Sequence, residues 1–295
     1  MRYFEYQPLI DQARPKAQLW RLILGLGLIV AIYVMLGRGA MTVLGMALGD
    51  AGGDLYRHLP AGGSPLAMYV LLFGFGLLGV AVVCATMIVH GRGFAGLIGP
   101  PRRFLRQFGR VCAGLVVLYG AVLVLPPWDL GAPLGANLPV ALWLGLLPLS
   151  LVAVLVQVSA EELLFRGYLQ QQLAARFNGA WVFVLVPSVL FGLGHFMPDQ
   201  AGDNAGLIAL WAMVFGVLLA DITARAGTLG PAIALHFVNN ITAILIISVP
   251  DSLSGLALFT GPFDMNDTQA FRAWLPVDFA LMWLSWLVAR IAIRR

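Results

Sequence analysis

Two adjacent carboxylates and an arginine four residues after the second, in Glu161-Glu162-Leu163-Leu164-Phe165-Arg166, close an apolar run that extends from Leu138 to Val158. A run of that length predicts a membrane-spanning helix, so the motif puts ionisable groups at or just inside one end of a span, where they are costly and usually functional. Hydrolysis is the leading chemistry, since a carboxylate held out of bulk water can serve as a general base. The competing reading is a rim of ordinary charges, with Glu162 and Arg166 as an exposed i,i+4 pair worth about 0.3 kcal/mol. Two histidines weigh against it. His195 ends Phe191-Gly192-Leu193-Gly194-His195, one helical turn beyond Phe191 on the same face. His236 opens His236-Phe237-Val238-Asn239-Asn240, so His236 and Asn240 share a face while Asn239 points about 100° away. A histidine in a span is more often a packing residue than a catalyst. Two of them together with the glutamates are harder to dismiss.

The elements that must position these residues are membrane helices. The chain has 295 residues, 60% hydrophobic and 11% charged, against about 25% charged for a typical soluble domain. Cys84 and Cys112 both lie in apolar stretches, which fits neither a disulfide framework nor a thiolate metal cluster. The net charge of +4 reflects loop arginines rather than affinity for nucleic acid. The first apolar run, Leu19 to Leu36, is long enough to span and lacks a small-residue cleavage site, so it reads as a helix and not a signal peptide.

Eight spans are expected, at about Leu19–Leu36, Pro65–Val89, Val111–Leu125, Leu138–Val158, Ala180–Phe196, Ala205–Ala220, Thr228–Val249 and Ala273–Ile293. Ala40 to Leu48 is too short to cross and reads as a separate surface or re-entrant helix after Arg38. A Gly/Pro-rich loop with Asp50, Asp54 and Arg57 follows, Arg92 to Arg110 reads as an arginine-rich loop, and Pro126-Pro127 ends the third span before Asp129. With the N-terminus inside, fifteen of the 18 lysines and arginines fall on inner segments, which puts both termini in the cytoplasm.

The fourth and fifth spans can be tested against each other. Phe177-Asn178-Gly179 is the only good turn signal between them, and Glu161 and His195 each lie seventeen residues from Asn178. If both arms are helical and antiparallel, the two side chains stand at one height. The polar run Gln170-Gln171-Gln172 with Arg176 predicts that the hairpin tip projects into the cytoplasm.

Glu-Glu-x-x-x-Arg, Phe-x-x-x-His and His-x-x-x-Asn, in that order between Ser159 and Asn240, resemble the CPBP family, the membrane-embedded proteases that include type II CAAX prenyl endopeptidases and proteins linked to bacteriocin processing and self-immunity. The resemblance implies that Glu161 acts as general base with His195 positioning or sharing the proton. It implies that His236 and Asn240 donate to the oxyanion, that Glu162 and Arg166 orient, and that Phe191 packs the site. Members are often called metalloproteases, and Glu161, His195 and His236 would make a three-ligand set for a zinc-like divalent ion. The sequence has no His-Glu-x-x-His helix, which favours a metal-free mechanism needing no cofactor.

The expectation is an all-α, multi-pass membrane bundle, suited to a bacterial plasma membrane, that hydrolyses a peptide bond near the cytoplasmic face. It divides into helices and loops at 1–137, a catalytic core at 138–250, and an outer loop with the last helix at 251–295. CAAX-type C-terminal trimming and leader-peptide processing both fall within it. Its partners are membrane lipid and a peptide or prenylated protein substrate. The alternatives are an inactive scaffold or immunity protein using the same cavity, and a proton-coupled transporter, against which no pair of interrupted spans appears in corresponding halves.

Overall fold

A computed structural model describes residues 3–49, 52, 55–56, 59–125, 133–250 and 252–294. Asp50, Asp54, Pro126, Pro127, Asp129 and Asp251 fall outside the described residues, as do three members of the charge count above, Arg2, Arg57 and Arg295. The chain forms a helical membrane bundle. Six of its helices are long and apolar enough to cross a bilayer: α1 (Leu19–Leu48), α2 (Pro65–His90), α3 (Pro101–Val124), α4 (Val140–Arg176), α6 (Pro198–Ala226) and α8 (Thr268–Ala292). Two shorter apolar helices, α5 (Ala180–Gly194) and α7 (Gly230–Ile246), correspond to the fifth and seventh expected spans. At 1.5 Å per residue they measure roughly 22 and 26 Å, short of a hydrocarbon core of about 30 Å.

Several boundaries depart from the sequence reading. Arg38 and its flanking glycines do not break the first helix, which continues for 30 residues to Leu48. A backbone that satisfies its own hydrogen bonds has no reason to stop in an apolar setting, and one long arginine can reach away from it. Most of the expected arginine loop is likewise helix, because Pro101 at its first position starts α3 and puts Arg102 to Arg110 on its opening turns. Ser64 and Asp267 cap α2 and α8 by accepting from Ala67 N and Ala270 N.

The N-terminal segment, expected only as a polar lead-in, is a chain of short helices from Phe4 to Lys16 that buries Tyr6, Leu9, Ile10 and Ala13. It packs on the end of α4. Gln170, Gln171 and Gln172 therefore do not face solvent. They are buried, with Gln170 Nε2 donating to the Ala220 carbonyl at 3.0 Å and Gln171 Nε2 to the Leu97 carbonyl at 2.7 Å. A three-stranded patch of two-residue strands, β1 (Gly135–Ala136), β2 (Ile247–Ser248) and β3 (Phe259–Thr260), ties loops together in the order β1-β3-β2.

Within the bundle, α5 lies along α6, α4 along α2, and α7 along α3, with α8 also against α3. Buried side chains form two clusters. One gathers α1, α2, α4 and the N-terminal segment, the other α3, α6, α7 and α8, and Phe165 and Phe108 pack against both. The α5–α6 pair approaches closely because glycines stand at the crossing: a Cβ on Gly192 would come within 2.6 Å of the Ala209 carbonyl, and one on Gly216 within 3.0 Å of Ser188. We expect Gly192→Ala to lower the thermal midpoint in detergent, with a cost of about 1–3 kcal/mol for forcing two backbones apart. Gly145→Ala, where nothing lies within 4 Å of the added methyl, should leave it unchanged.

Candidate active site

α4 carries Glu161 and Glu162 at the end of its regular part and then widens into a π-helical stretch from Leu163 to Leu169. α7 does the same, regular through Asn240 and π-helical from Ile241 to Ile246. Such stretches often mark functional sites, and both begin directly after the candidate residues.

Arg166 has no exposed surface. It donates Nη1–H to Glu162 Oε1 at 2.9 Å and Nη2–H to the Gly216 carbonyl at 3.1 Å, and its guanidinium lies 4.8 Å from the Phe191 ring centre. His236 donates Nδ1–H to the same Glu162 oxygen, also at 2.9 Å. An ionised carboxylate can only accept, so in this contact Nδ1 of His236 carries hydrogen. The other nitrogen, Nε2, stands 3.6 Å from Glu161 Oε2. That oxygen is buried without a protein hydrogen-bond donor.

One turn away along both helices, Asn240 donates Nδ2–H to Gln157 Oε1 at 2.9 Å. Glu161 facing His236 and Gln157 facing Asn240 thus form two polar rungs between α4 and α7. Around the first rung the rings of Phe191 and Phe215 meet His236 edge-on, with centroids 5.9 and 5.4 Å away. His195 closes α5 beside Phe191, its ring 4.6 Å from the phenyl centre, and donates Nδ1–H to the Phe191 carbonyl at 2.8 Å, leaving Nε2 as an acceptor.

The hairpin register also follows the sequence reading. Phe165 and Phe191 are each thirteen residues from Asn178, and their rings pack edge-to-face at 5.1 Å. No hydrogen bond or ion pair joins Glu161 to His195 directly. The histidine that approaches Glu161 is His236, and His195 enters through Phe191. Glu162 and Arg166 are not rim charges, because neither side chain is exposed.

The sequence reading missed Gln157, Phe215 and Gly216. Gln157 alone carried a usable signal, lying one turn before Glu161 on the same face. His90, at the end of α2, was not counted among the buried histidines, yet its Nε2 lies 3.0 Å from the Tyr168 hydroxyl. Among the described residues no three His, Cys, Asp or Glu side chains converge as they must around one ion. Glu161, His195 and His236 do not come together as one three-ligand set, so these side chains do not fit a zinc-like ion.

Residues 143–242 match the family model described as type II CAAX prenyl endopeptidase Rce1-like. The matched region begins sixteen residues before the Ser159 at which the motifs start, and it includes Gln157, Glu161, Glu162, Arg166, His195, His236 and Asn240. The chain is also 29% identical over 110 residues to the uncharacterized protein YyaK of Bacillus subtilis, an overlap of 37% of this chain and 37% of that protein's length. No solved structure matches. With its six long apolar helices, the chain is an integral, multi-pass membrane protein.

A buried guanidinium that satisfies a buried carboxylate should be costly to remove alone. Arg166→Ala is expected to destabilise the fold by roughly 3–5 kcal/mol, because it strands Glu162. Pairing Arg166→Met with Glu162→Gln should recover a substantial part of that loss, measured by unfolding in mixed detergent micelles.

Proposed function

We propose that this chain is an intramembrane endopeptidase, in which Glu161 activates the water that attacks a peptide carbonyl. The observation that carries the reading is the Glu161–His236 rung. It sets a carboxylate oxygen without a protein donor against an imidazole that is oriented from behind by Glu162 and Arg166. The Rce1-like match over the same residues supports CAAX-type intramembrane proteolysis in the broad sense.

Glu161 takes a proton from water as the oxygen bonds to the scissile carbonyl carbon. The resulting oxyanion accepts hydrogen bonds from His236 Nε2–H and Asn240 Nδ2–H, with Gln157 holding the asparagine in place. Collapse breaks the C–N bond, and the proton returns to the leaving amine, either directly from Glu161 or relayed through His195, whose Nε2 is left free to accept. For Nε2 to donate while Nδ1 serves Glu162, His236 must carry both ring protons. The cluster of two carboxylates, one guanidinium and one imidazolium is then neutral, which is the arrangement a buried site tolerates best. The substrates are the C-terminal tail of a prenylated protein or the leader of a secreted peptide, reached from within the membrane.

Purified protein in liposomes, offered quenched prenylated and unprenylated peptides, tests this. Glu161→Ala and His195→Ala should each lose about 10²–10⁴-fold in turnover. His236→Ala should lose about 10²–10³-fold. Thermal midpoints should stay near that of the wild type for the first two, and a strong chelator should leave cleavage unaffected. Wild-type turnover by a well-folded Glu161→Ala protein would remove the hydrolytic reading and favour a binding role for the same residues.

A further inference from the structure

Away from the glutamates and histidines, at the end of the bundle where α3 begins and α8 finishes, lies a cleft of about 390 Å³. It is lined by Pro100, Arg102, Arg103, Arg106, Gln107, Arg110 and Ile293. One water occupies about 30 Å³ of liquid, so the cleft has room for a group of several heavy atoms. Arg102, Arg106 and Arg110 follow one another at i, i+4 and i+8 and form a single stripe about 12 Å long on α3. Among the described residues no carboxylate pairs with any of the three. Arg103, in the neighbouring row, is held by Glu5 at 2.7 Å. Three guanidiniums therefore share one concave surface to which no described residue supplies a counter-charge.

The floor of the cleft is fixed. Gln107 donates Nε2–H to the Ala226 carbonyl at 3.2 Å and accepts the Thr228 hydroxyl at 2.6 Å, and Ile293 is buried. Its rim is different. Leu105 beside the stripe and Ile291 on α8 are largely exposed, and below them α3 presents Val116, Val117, Leu123 and Val124 outward. A ligand seated on the arginines would thus have apolar helix surface running away from it along the spans.

We propose that this cleft is a binding site for the phosphate-bearing headgroup of an anionic membrane lipid. Planar guanidinium forks match phosphate oxygens bidentately, and basic pockets between helices at a membrane face suit such headgroups. The exposed apolar rim accommodates the acyl chains of the same molecule, which a soluble phosphate lacks. Gln107 joins the site to the Ala226–Gly230 turn that leads into α7, so the lipid braces the helix carrying His236 from its other end.

Native mass spectrometry of the purified chain, extracted from bilayers of phosphatidylglycerol and phosphatidylcholine in equal parts, tests the assignment. The wild type should retain the anionic lipid in preference by at least about fivefold. The triple change of Arg102, Arg106 and Arg110 to Gln should bring retention near parity, and the same three positions as Lys should keep part of the preference. Arg106→Gln alone, which removes only one exposed side chain, should roughly halve it and covers the case in which the triple variant does not fold. A paired control, Arg14→Gln with Arg176→Gln, alters exposed arginines outside the cleft and should change nothing. Undiminished preference in the triple variant overturns the proposal, as does an equal loss in the control. Displacement of the lipid by millimolar inorganic phosphate would reassign the cleft to a soluble anion, and displacement by a peptide with a free C-terminal carboxylate would reassign it to substrate; either result also overturns it.

Discussion

The buried contact of Arg166 with Glu162 is the constraint on which the centre of this protein depends. A carboxylate taken fully out of water needs a counter-charge and donors, and here one guanidinium supplies both while also bonding the Gly216 carbonyl of a neighbouring helix. Once Glu162 is held, it orients His236, and His236 in turn faces Glu161. The order of these contacts explains why two adjacent glutamates on one helix occupy different environments. One oxygen of Glu162 is consumed in positioning, bonded at once by Arg166 and His236. Glu161 has neither contact and meets His236 only through Oε2, at 3.6 Å.

The bundle is arranged so that this charge cluster sits where two apolar cores meet. Phe165 belongs to the packing of both, and it touches Phe191, which touches His195 and His236. Aromatic edges against the imidazole exclude water without competing for its hydrogen bonds. The glycines at the α5–α6 crossing serve the same end, since Gly216 lets Ser188 come close while its own carbonyl receives Arg166.

Much of this was legible in the chain because it is written in periodicity. The i,i+4 spacing of Glu162 and Arg166, and of His236 and Asn240, forces shared faces, and equal arms about Asn178 force the hairpin register that Phe165 and Phe191 display. What could not be read depends on which element covers another. Three consecutive glutamines look like a solvent-facing tip until an N-terminal segment lies over them. Gln157 looks like one polar residue in an apolar run until Asn240 meets it from another helix. The break expected after Arg38 failed for a related reason, since hydropathy registers a charge but not that a helix can carry it to the surface. The π-helical turns after Glu162 and Asn240 had no sequence signal, because they arise from packing rather than from residue preference.

The two halves of the Glu161–His236 rung are separated by 75 residues of chain. At the roughly 5–20 residues per second of protein synthesis, the histidine emerges about 4–15 s after the glutamate. Through that interval Glu162 already has Arg166 four residues away, so the most deeply placed charge does not wait for its partner. Glu161 does wait. A nascent chain built this way passes through the insertion machinery with the Glu161–His236 rung unassembled, and acquires it only when the seventh helix docks beside the fourth.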